Sequence, residues 1–543
     1  MAKIGIVGAG VAGLQVANVL RRAGMECTIL EKNGDLGGVW RRNYVDFGLQ
    51  TPAELYVFPG YPHPSESSGT RGSNTDDGHQ DAWAVRFPSG HEVYQYVKWF
   101  AQENELIPLI KFGVSNLHIR KLRQQSEDGG SDASAAAYPH GSHVSSINIP
   151  EADGWKCTYS IRASSQYSSG GSDTLDDDQE QIEYFDYIVI ATGMYNCPNI
   201  PSLPDSQDFA GEIIHSCEFT DLGIVDDKRV VVVGAGKSAI DCATVAATVA
   251  RKVTMVFRDA HWPVPRYLLN LVSFKWATFS RFGHFMFPAH HSDKHGLLSY
   301  LHLLARPFKW IWWRLVELLF KWQFKLSGEM IPSTALEVDL FNGGLCLDYE
   351  FRDRVNVGEI RAIKSSIERI TERYLVLKNG SEIEADVVIY ATGFKKAYDY
   401  MDPYIQTKLF EGTTSSAFDD GLYLYRNILP LNVSSLAFIG AEVTTFNNIL
   451  TQGLQALWLR DVLLGKIELP PVHKRAESIE DDQIWKRAWM PDNKSRAATF
   501  QLHMMKYHDV LCQDMHVEHL RKANIIAEIF QPYDARDYAS LFA

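Results

Sequence analysis

Two stretches of the chain show the same order of apolar, glycine-rich and amphipathic segments. Near the N-terminus, an apolar run at residues 4–7 leads into a glycine-rich turn and then into a stretch with the apolar periodicity of a helix, residues 14–22. In the middle of the chain, four valines at 230–233 lead into a second such turn. The two turns read Gly8-Ala9-Gly10-Val11-Ala12-Gly13 and Gly234-Ala235-Gly236-Lys237-Ser238-Ala239. Each copy predicts a strand, a tight glycine turn and a helix.

A second repeated motif follows each copy. Residues 186–193 and 386–393 are apolar runs that close on Ala-Thr-Gly, which gives Thr192-Gly193 and Thr392-Gly393 equivalent positions. Such runs are typical of buried parallel strands that end at a ligand crevice. The repeated order predicts an α/β protein with two Rossmann-like dinucleotide-binding domains, the second inserted into the first. We expect the first part of one domain at 1–195, the second domain at 196–396, and a return to the first domain with a C-terminal helical extension at 397–543.

Residues 267–330 form a tryptophan-rich insertion in the second domain. They contain five of the thirteen tryptophans and carry eight Lys or Arg against three Asp or Glu. Charged residues recur at three- to five-residue steps from Arg306 to Lys325, which predicts an amphipathic helix that follows Pro307. We keep two interpretations of this insertion, a buried lid over a substrate site and a peripheral contact with an anionic membrane.

The composition excludes several classes of protein. With 543 residues and a net charge of -13, the chain is a large acidic protein that would repel nucleic acid. The seven cysteines are scattered and never form a C-x-x-C pair, so we expect a reducing compartment and no zinc or other metal site. Since no targeting signal or spanning segment is evident, we expect a cytoplasmic protein, with peripheral attachment to an intracellular membrane as the alternative. Polar stretches at 124–143 and 164–181 predict surface loops.

The first glycine turn is followed at the expected distance by an acidic residue. Glu31 ends the next predicted strand, about twenty residues on, where a carboxylate accepts both hydroxyls of a ribose and repels a 2'-phosphate. This favours FAD or NAD over NADP. Two adjacent glycines, Gly37 and Gly38, are followed by Val39 and the aromatic Trp40, and this run suits a backbone that packs against a flat cofactor.

The second turn has a base where the first has an acid. Arg258 stands one residue beyond the position equivalent to Glu31. A guanidinium there takes the 2'-phosphate of NADPH in a charge-assisted contact, with Lys237, Ser238 and Arg266 as candidate helpers.

With these motifs, the sequence resembles the class B flavin-containing monooxygenases of the dimethylaniline N-oxide-forming type, and the plant and algal branch in particular. Residues 209–219 match the family pattern F-x-G-x-x-x-H-x-x-x-[YF], which makes His215 the motif histidine. Gln50-Thr51 stand where animal enzymes have an Asn-Thr or Asn-Ser pair facing the flavin. Lys237 and Ala239 stand where Asn and Gly are usual.

The resemblance implies an activity and roles for particular residues. NADPH would reduce FAD, O2 would add to give a C4a-hydroperoxyflavin, and one oxygen atom would pass to a small substrate with a soft nitrogen or sulfur nucleophile. The resemblance makes Gln50 and His215 candidate catalytic residues. For His215, it implies a place at the hinge between the domains more often than a role in proton transfer. We expect Thr192, Gly193, Thr392 and Gly393 to contact the cofactors.

Two other activities remain open. Baeyer-Villiger monooxygenases share both glycine turns, although their linker motif usually ends in Trp and this one ends in Phe219. A membrane-associated NADPH oxidase that releases hydrogen peroxide would use the same cofactors, with the tryptophan-rich helix as its membrane contact.

Overall fold

The computed structural model of the chain describes residues 1–63, 86–122, 154–162, 180–291, 297–343, 345–347, 349–411, 420–490 and 496–543. The surface loop predicted at 124–143 lies outside these residues. So does the loop predicted at 164–181, except for its last two residues, and a strand begins at Gln181.

The strands of the described residues are numbered β1 to β22 in chain order. They are Lys3–Val7, Glu26–Leu30, Ile110–Lys111, Val114–Lys121, Trp155–Ile161, Gln181–Phe185, Tyr187–Ile190, Cys197–Pro198, Glu212–His215, Arg229–Val233, Lys252–Phe257, Pro263–Pro265, Tyr267–Leu268, Val272–Ser273, Leu345–Leu347, Ile360–Lys364, Ile367–Ile370, Tyr374–Leu377, Glu382–Glu384, Val387–Tyr390, Phe394–Lys395 and Leu436–Phe438.

The α-helices of the described residues are numbered α1 to α14. They are Val11–Arg22, Gly90–Glu103, Lys237–Ala246, Lys275–Thr278, Arg281–Met286, Leu297–Leu304, Arg306–Gln323, Leu336–Gly343, Glu350–Val357, Pro403–Phe410, Asn448–Leu463, Val472–Trp489, Met504–Asp514 and Ile525–Phe530. Among the described residues, none of these helices has the length and apolar character needed to cross a bilayer.

Two five-stranded parallel sheets form the framework. The first has the order β22-β7-β1-β2-β3 and the second the order β16-β11-β10-β20-β9. In the first sheet, β1 precedes the glycine turn and lies between β2 and β7, and β7 is the strand followed by Ala-Thr-Gly. In the second sheet, β10 lies in the same way between β11 and β20. This arrangement confirms the predicted α/β class with Rossmann-like units.

The chain returns to the first sheet after completing the second. Strand β22 pairs in parallel with β7, with Leu436 opposite Ile188. Helix α11 then packs against α1, and the apolar core of this unit joins Leu14 of α1 to Trp458 of α11. Three-stranded antiparallel sheets, β4-β5-β6 and β17-β18-β19, accompany the two parallel sheets.

The tryptophan-rich insertion forms a separate apolar cluster. The predicted helix after Pro307 is α7, with the proline in its first turn. Trp313 and Phe320 of α7 pack with Trp262, with Leu336 of α8 and with Trp485 of the C-terminal helix α12. The insertion is therefore held between the second parallel sheet and the C-terminal helices.

Candidate active site

A cavity of about 2090 Å³ lies at the carboxyl ends of both parallel sheets. Its walls include both glycine turns, both Ala-Thr-Gly turns and helices of the insertion. Sites for single small molecules usually measure about 300–1,000 Å³, so this cavity has room for more than one large ligand.

The glycines of the first turn meet different needs. Gly8 has φ +106°, and a Cβ there would lie 2.8 Å from the carbonyl oxygen of Ala191. A Cβ at Gly13 would lie 1.9 Å from the oxygen of Gly8. At Gly10, by contrast, the nearest heavy atom to a Cβ would be Cα of Gly38, 3.9 Å away. Gly8 and Gly13 are thus required by the fold itself, whereas the space at Gly10 is open to a ligand.

The N-terminus of α1 opens into the cavity. Gly10 caps this helix and supplies no side-chain hydrogen bond, and Val11 and Ala12 line the wall. Amides at such an uncapped terminus bind phosphate groups. Gly38, Val39 and Trp40 also line the cavity. Of the first-turn residues, Ala9 and Gly13 do not line the cavity, whereas the others do.

Glu31 is buried beside this helix and lines the cavity. Its Oε2 accepts the backbone N–H of Ala9 at 2.7 Å. Its Oε1 accepts from the backbone and the side-chain amide of Asn33, at 2.9 and 2.6 Å. A carboxylate has about four acceptor positions, so these three bonds fix its orientation and leave capacity for a ligand hydroxyl.

The second glycine turn repeats this geometry. Gly234 has φ +137°, and a Cβ there would lie 2.4 Å from the oxygen of Ala391. A Cβ at Gly236 would meet no heavy atom within 4 Å, and helix α3 begins there without a side-chain cap. Ala239, at the third glycine position, is fully buried under the turn. Gly234, Gly236, Lys237 and Ser238 line the cavity.

Lys237 is already part of an ion pair. Its ammonium group pairs with Asp241 one turn along α3. The same carboxylate accepts a hydrogen bond from the hydroxyl of Tyr44 at 2.8 Å. Since Tyr44 belongs to the segment after the first glycine turn, this cluster ties the two sheet units together. Asp241 therefore balances the positive charge of Lys237, which the sequence predicted to bind the 2'-phosphate of NADPH.

Arg258 directly follows β11 and is an exposed residue on the cavity wall. Ser365, Ser366 and Lys378 line the wall beside it. The N–H of Ser365 donates to the oxygen of Phe257 at 2.8 Å, and the N–H of Lys378 donates to the oxygen of Ser366 at 2.9 Å. These three residues were not predicted from the sequence, because they lie more than 100 positions from Arg258 and carry no local motif.

His215 and Arg266 lie outside the cavity lining. His215 is fully buried, with Nε2 2.9 Å from the oxygen of Gly393, while Nδ1 accepts the N–H of Cys217 at 3.3 Å. Burial lowers the pKa of this imidazole, which favours its neutral form. The guanidinium of Arg266 lies over the ring of Phe87, 4.4 Å from its centre.

The remaining predicted residues are brought together at the cavity. Thr192, Gly193, Thr392 and Gly393 line it at the two Ala-Thr-Gly turns. Both glycines have positive φ, +69° and +79°, which turns the chain away from the sheet. Gln50 and Thr51 also line the cavity, Thr51 as a buried residue and Gln50 as a half-buried one.

The insertion supplies an apolar end to the cavity. Its lining there consists mainly of aromatic and aliphatic side chains, Phe274, Phe282, Met286, Phe287, Trp312, Trp313, Val316, Leu319 and Phe320. The indole N–H of Trp313 donates to the oxygen of Met286 at 3.0 Å, which fixes α7 against α5. The inner face of α7 therefore forms part of the cavity wall.

A histidine–carboxylate pair that the sequence analysis missed also lines the cavity. Nδ1 of His261 lies 2.9 Å from Oδ1 of Asp339, and Oδ2 of Asp339 accepts the N–H of Trp262 at 2.7 Å. Asp339 is buried, and its hydrogen bond raises the pKa of His261. The partners lie 78 positions apart. No sequence motif links them.

One group of side chains has the composition of a metal site. Ligand atoms of His290, His291 and Asp482 lie within 4.8 Å of one another. None of these residues lines the cavity, and Asp482 pairs with the ammonium group of Lys486 at 2.9 Å. We therefore do not connect this group with the site.

Together, the fold and the cavity define an α/β protein in which two dinucleotide-type glycine turns face one chamber with an apolar end. The model of the flavin-binding monooxygenase-like family matches residues 156–299 and 333–530, more than half of the chain. The chain belongs to this family. Residues 6–68 match an NAD(P)-binding Rossmann-like domain.

Individual relatives agree with this assignment. The chain is 27% identical to the probable flavin-containing monooxygenase 1 of Arabidopsis thaliana, over 99% of this chain and 96% of the relative. Among solved structures, S-allyl-L-cysteine S-oxygenase from Allium sativum has a TM-score of 0.56 at 17% identity, covering 95% of this chain and 89% of that one. Cyclohexanone monooxygenase from Rhodococcus sp. Phi1, solved with NADP+, has a TM-score of 0.62 at 16% identity, covering 94% and 97%. The predicted family is confirmed, and FAD and NADPH agree with it as cofactors.

Proposed function

We propose that the protein is an FAD- and NADPH-dependent monooxygenase that transfers one oxygen atom from O2 to a soft nitrogen or sulfur nucleophile. The observation that carries the proposal is the cavity itself, in which two uncapped helix N-termini and an apolar chamber share one space. Family membership supports the flavin chemistry.

The residues of the first turn fit FAD. The open space at Gly10 admits a pyrophosphate to the amides of α1, and the fixed carboxylate of Glu31 accepts hydroxyls of the adenosine ribose. Gly38, Val39 and Trp40 pack against the cofactor from the facing wall. Bound FAD supplies the redox and oxygen-activating chemistry.

The residues of the second turn fit NADPH. The open space at Gly236 admits the second pyrophosphate to α3. Arg258 takes the 2'-phosphate, with Ser365, Ser366 and Lys378 as further donors in place of the predicted Lys237 and Arg266. Guanidinium and phosphate form charge-assisted, bidentate hydrogen bonds, which gives NADPH its preference over NADH.

Two further side chains act near the flavin in different ways. Gln50 offers an amide donor to the reacting oxygen. His215 is a positioning residue, because both of its ring nitrogens are occupied by backbone groups and Nε2–H holds the turn at Gly393. The neutral imidazole suits this role.

The apolar end of the cavity favours a lipophilic, uncharged substrate. Phe274, Phe282, Phe287 and Trp313 exclude water from the chamber, which protects the reactive oxygen from unproductive release. A soft nucleophile needs no activation by a protein base, and this agrees with a chamber wall that is mostly hydrocarbon.

The test is product analysis with purified, FAD-loaded protein and NADPH. N,N-dimethylaniline, an alkyl aryl sulfide and cyclohexanone serve as probes for N-, S- and Baeyer-Villiger oxygenation, and hydrogen peroxide is measured in parallel. We expect N-oxide or sulfoxide in proportion to the NADPH consumed. Lactone as the main product would establish the Baeyer-Villiger alternative, and peroxide equal to NADPH with every probe would establish the oxidase.

Gln50→Ala and Gln50→Asn extend this test to the residue level. We expect the alanine variant to reduce its flavin with NADPH at the wild-type rate and to release more peroxide per NADPH. The asparagine variant keeps the amide donor and should stay coupled. Equal coupling in all three proteins would remove Gln50 from the oxygen chemistry.

A further inference from the structure

A buried aspartate fixes the imidazole of His261 at the cavity wall. Asp339 of α8 is 3% exposed, and its two carboxylate oxygens have separate partners. Oδ1 lies 2.9 Å from Nδ1 of His261, and Oδ2 accepts the N–H of Trp262 at 2.7 Å. Because the carboxylate is held at both oxygens, it accepts the Nδ1 proton and selects the tautomer in which Nε2 carries the lone pair.

Nε2 of His261 is the ring nitrogen left for a ligand. The side chain is 27% exposed, and the residue lines the cavity together with Asp339. Within the part of the chain that the structure describes, Nε2 has no hydrogen-bond partner. A histidine that is oriented by a carboxylate on one nitrogen and open to a ligand on the other has the construction of a general base.

His261 lies where the second glycine-turn unit meets the insertion. Arg258, the proposed phosphate ligand, stands three residues before it on the cavity wall. Trp262, directly after it, belongs to the same apolar cluster as Trp313 and Phe320 of α7. Both of these α7 residues line the apolar end of the cavity. The imidazole is therefore a polar group at the edge of a chamber whose wall is mostly hydrocarbon.

The charged groups around this imidazole favour its protonated form. The hydrogen bond to Asp339 raises the pKa of His261, burial opposes this, and the charges of Asp339 and Asp259 raise the pKa further. Asp259 in turn pairs with Lys364 of β16 at 3.5 Å. A raised pKa brings the imidazole closer to that of an amine, which makes it a better acceptor for the proton of an ammonium group.

An amine substrate needs a proton acceptor, whereas a sulfide or any other neutral nucleophile does not. An alkylamine has a pKa of about 10, so at pH 8 only about 1% is free base and the rest is ammonium without a lone pair. Burial in an apolar chamber disfavours the charged ammonium, while Asp339 compensates the charge of an imidazolium at the wall. Both effects favour transfer of the proton from the substrate to the histidine.

We propose that His261 deprotonates amine substrates as they enter the apolar chamber, with Asp339 as its positioning residue. This inference rests on the proposed oxygenation of soft nucleophiles. In the step, the N–H bond of the ammonium breaks and the Nε2–H bond of an imidazolium forms. The electron pair stays on the substrate nitrogen, which becomes the nucleophile, and nothing is oxidised or reduced. The proton passes from the exposed part of the ring to water after the product has left.

Proton release on amine binding tests the proposal without any oxygenation. The FAD-loaded, oxidised protein is titrated with N,N-dimethylhexylamine at pH 8 by calorimetry in buffers of different ionisation enthalpy. We expect the wild type to release almost no protons, because the ammonium proton stays on His261. His261→Gln binds only the free base and should release about one proton per amine. Release of about one proton by the wild type, or equal release by both proteins, would overturn the proposal.

Steady-state kinetics provide a second readout with matched probes. N,N-dimethylhexylamine arrives as ammonium at pH 8, whereas N,N-dimethylaniline and an alkyl aryl sulfide arrive neutral. We expect His261→Gln to lower kcat/KM for the alkylamine, relative to the neutral probes, by up to about 100-fold at pH 8 and about tenfold at pH 9, as the free base becomes more abundant. Asp339→Asn should lower the same ratio. The control is His284→Gln on α5, outside the cavity lining, where Nε2 lies 3.1 Å from the oxygen of Thr278. It should keep the wild-type ratio.

The outcomes separate this inference from the proposed function. Equal losses for all three probes would make His261 a structural residue and overturn the proposal. Should His261→Gln fail to fold, the wild type decides, because a base in the cavity keeps the ratio of alkylamine to sulfide nearly constant between pH 8 and pH 9. A rise of about tenfold would mean that only the free base is taken from solution, which refutes the proposal. Absence of oxygenated product from every probe would refute the proposed function, and the calorimetry would still decide the role of His261.

Discussion

Replacing Gly10 by alanine should remove the flavin and leave the fold intact. Gly10 has φ -79° and ψ -174°, which any L-residue adopts without strain. The nearest heavy atom to the added Cβ would be Cα of Gly38 at 3.9 Å, an ordinary van der Waals contact. The methyl group would instead fill the gap through which a pyrophosphate reaches the amides of Val11 and Ala12.

The size of the effect follows from the hydrogen bonds that the methyl group prevents. A hydrogen bond to a charged group contributes about 1.5–3 kcal/mol, so the loss of two amide–phosphate bonds costs about 3–6 kcal/mol. This corresponds to roughly 150- to 25,000-fold weaker FAD binding. The unfolding free energy of the apoprotein should change by no more than about 0.5 kcal/mol, as for a substitution that meets no neighbour.

Two further glycines provide the controls. Gly236→Ala meets no heavy atom within 4 Å, and it should keep FAD and raise the KM for NADPH. Gly13→Ala would place its Cβ 1.9 Å from the oxygen of Gly8, and it should destabilise the apoprotein itself. The measurements are FAD per protein after gel filtration, FAD titration of the apoprotein, denaturant unfolding and steady-state kinetics. Wild-type FAD affinity in Gly10→Ala, or loss of FAD in Gly236→Ala, would refute the assignment of the two turns.

Three other substitutions have defined outcomes. Glu31→Ala leaves the N–H of Ala9 without its buried acceptor and should cost the apoprotein about 1–3 kcal/mol in denaturant unfolding, whereas Glu31→Gln keeps an acceptor oxygen; equal losses would contradict this. Arg258→Ala should raise the KM for NADPH about 10- to 150-fold and leave that for NADH nearly unchanged, and equal use of both coenzymes by the wild type would reject the idea. His261 has its pKa raised by Asp339, so the stabilisation from this pair is complete below about pH 6.5 and is lost as the pH rises through the folded-state value. The difference in melting temperature between wild type and His261→Gln should therefore be larger at pH 5.5 than at pH 8.5, and a constant difference would refute it.

The parts of the molecule that could be predicted from sequence are those in which a short pattern determines the geometry. The strand before Gly8 and the helix after Gly10 follow from local periodicity, and glycine is needed where φ is positive or a carbonyl lies close. Glu31 and Arg258 each directly follow the next strand of their units, β2 and β11. Counting residues was therefore sufficient to place both at the cavity.

The parts that could not be predicted depend on long-range packing. Ser365 donates its N–H to the oxygen of Phe257, the neighbour of Arg258, and Lys378 donates to the oxygen of Ser366. Asp339, on helix α8, contacts His261. The sequence around these residues contains no pattern that indicates these contacts. His215 was found by its motif, but the motif does not specify the contact of its Nε2 with the Gly393 carbonyl.

The lid and the membrane contact, the two interpretations of the insertion that the sequence allows, concern opposite faces of α7. Trp310 is 62% exposed, whereas Trp313, three positions on, is 8% exposed and donates to the oxygen of Met286. Apolar periodicity alone does not assign these faces, because both are apolar and the buried Lys309 and Glu317 decide which one turns inward. Trp313→Ala should therefore cost about 3–5 kcal/mol of unfolding free energy through the cavity that it leaves. Trp310→Ala should change it by no more than about 0.5 kcal/mol. Denaturant unfolding of the two single variants measures this directly, and similar losses in both would mean that α7 does not have the orientation that the structure gives it.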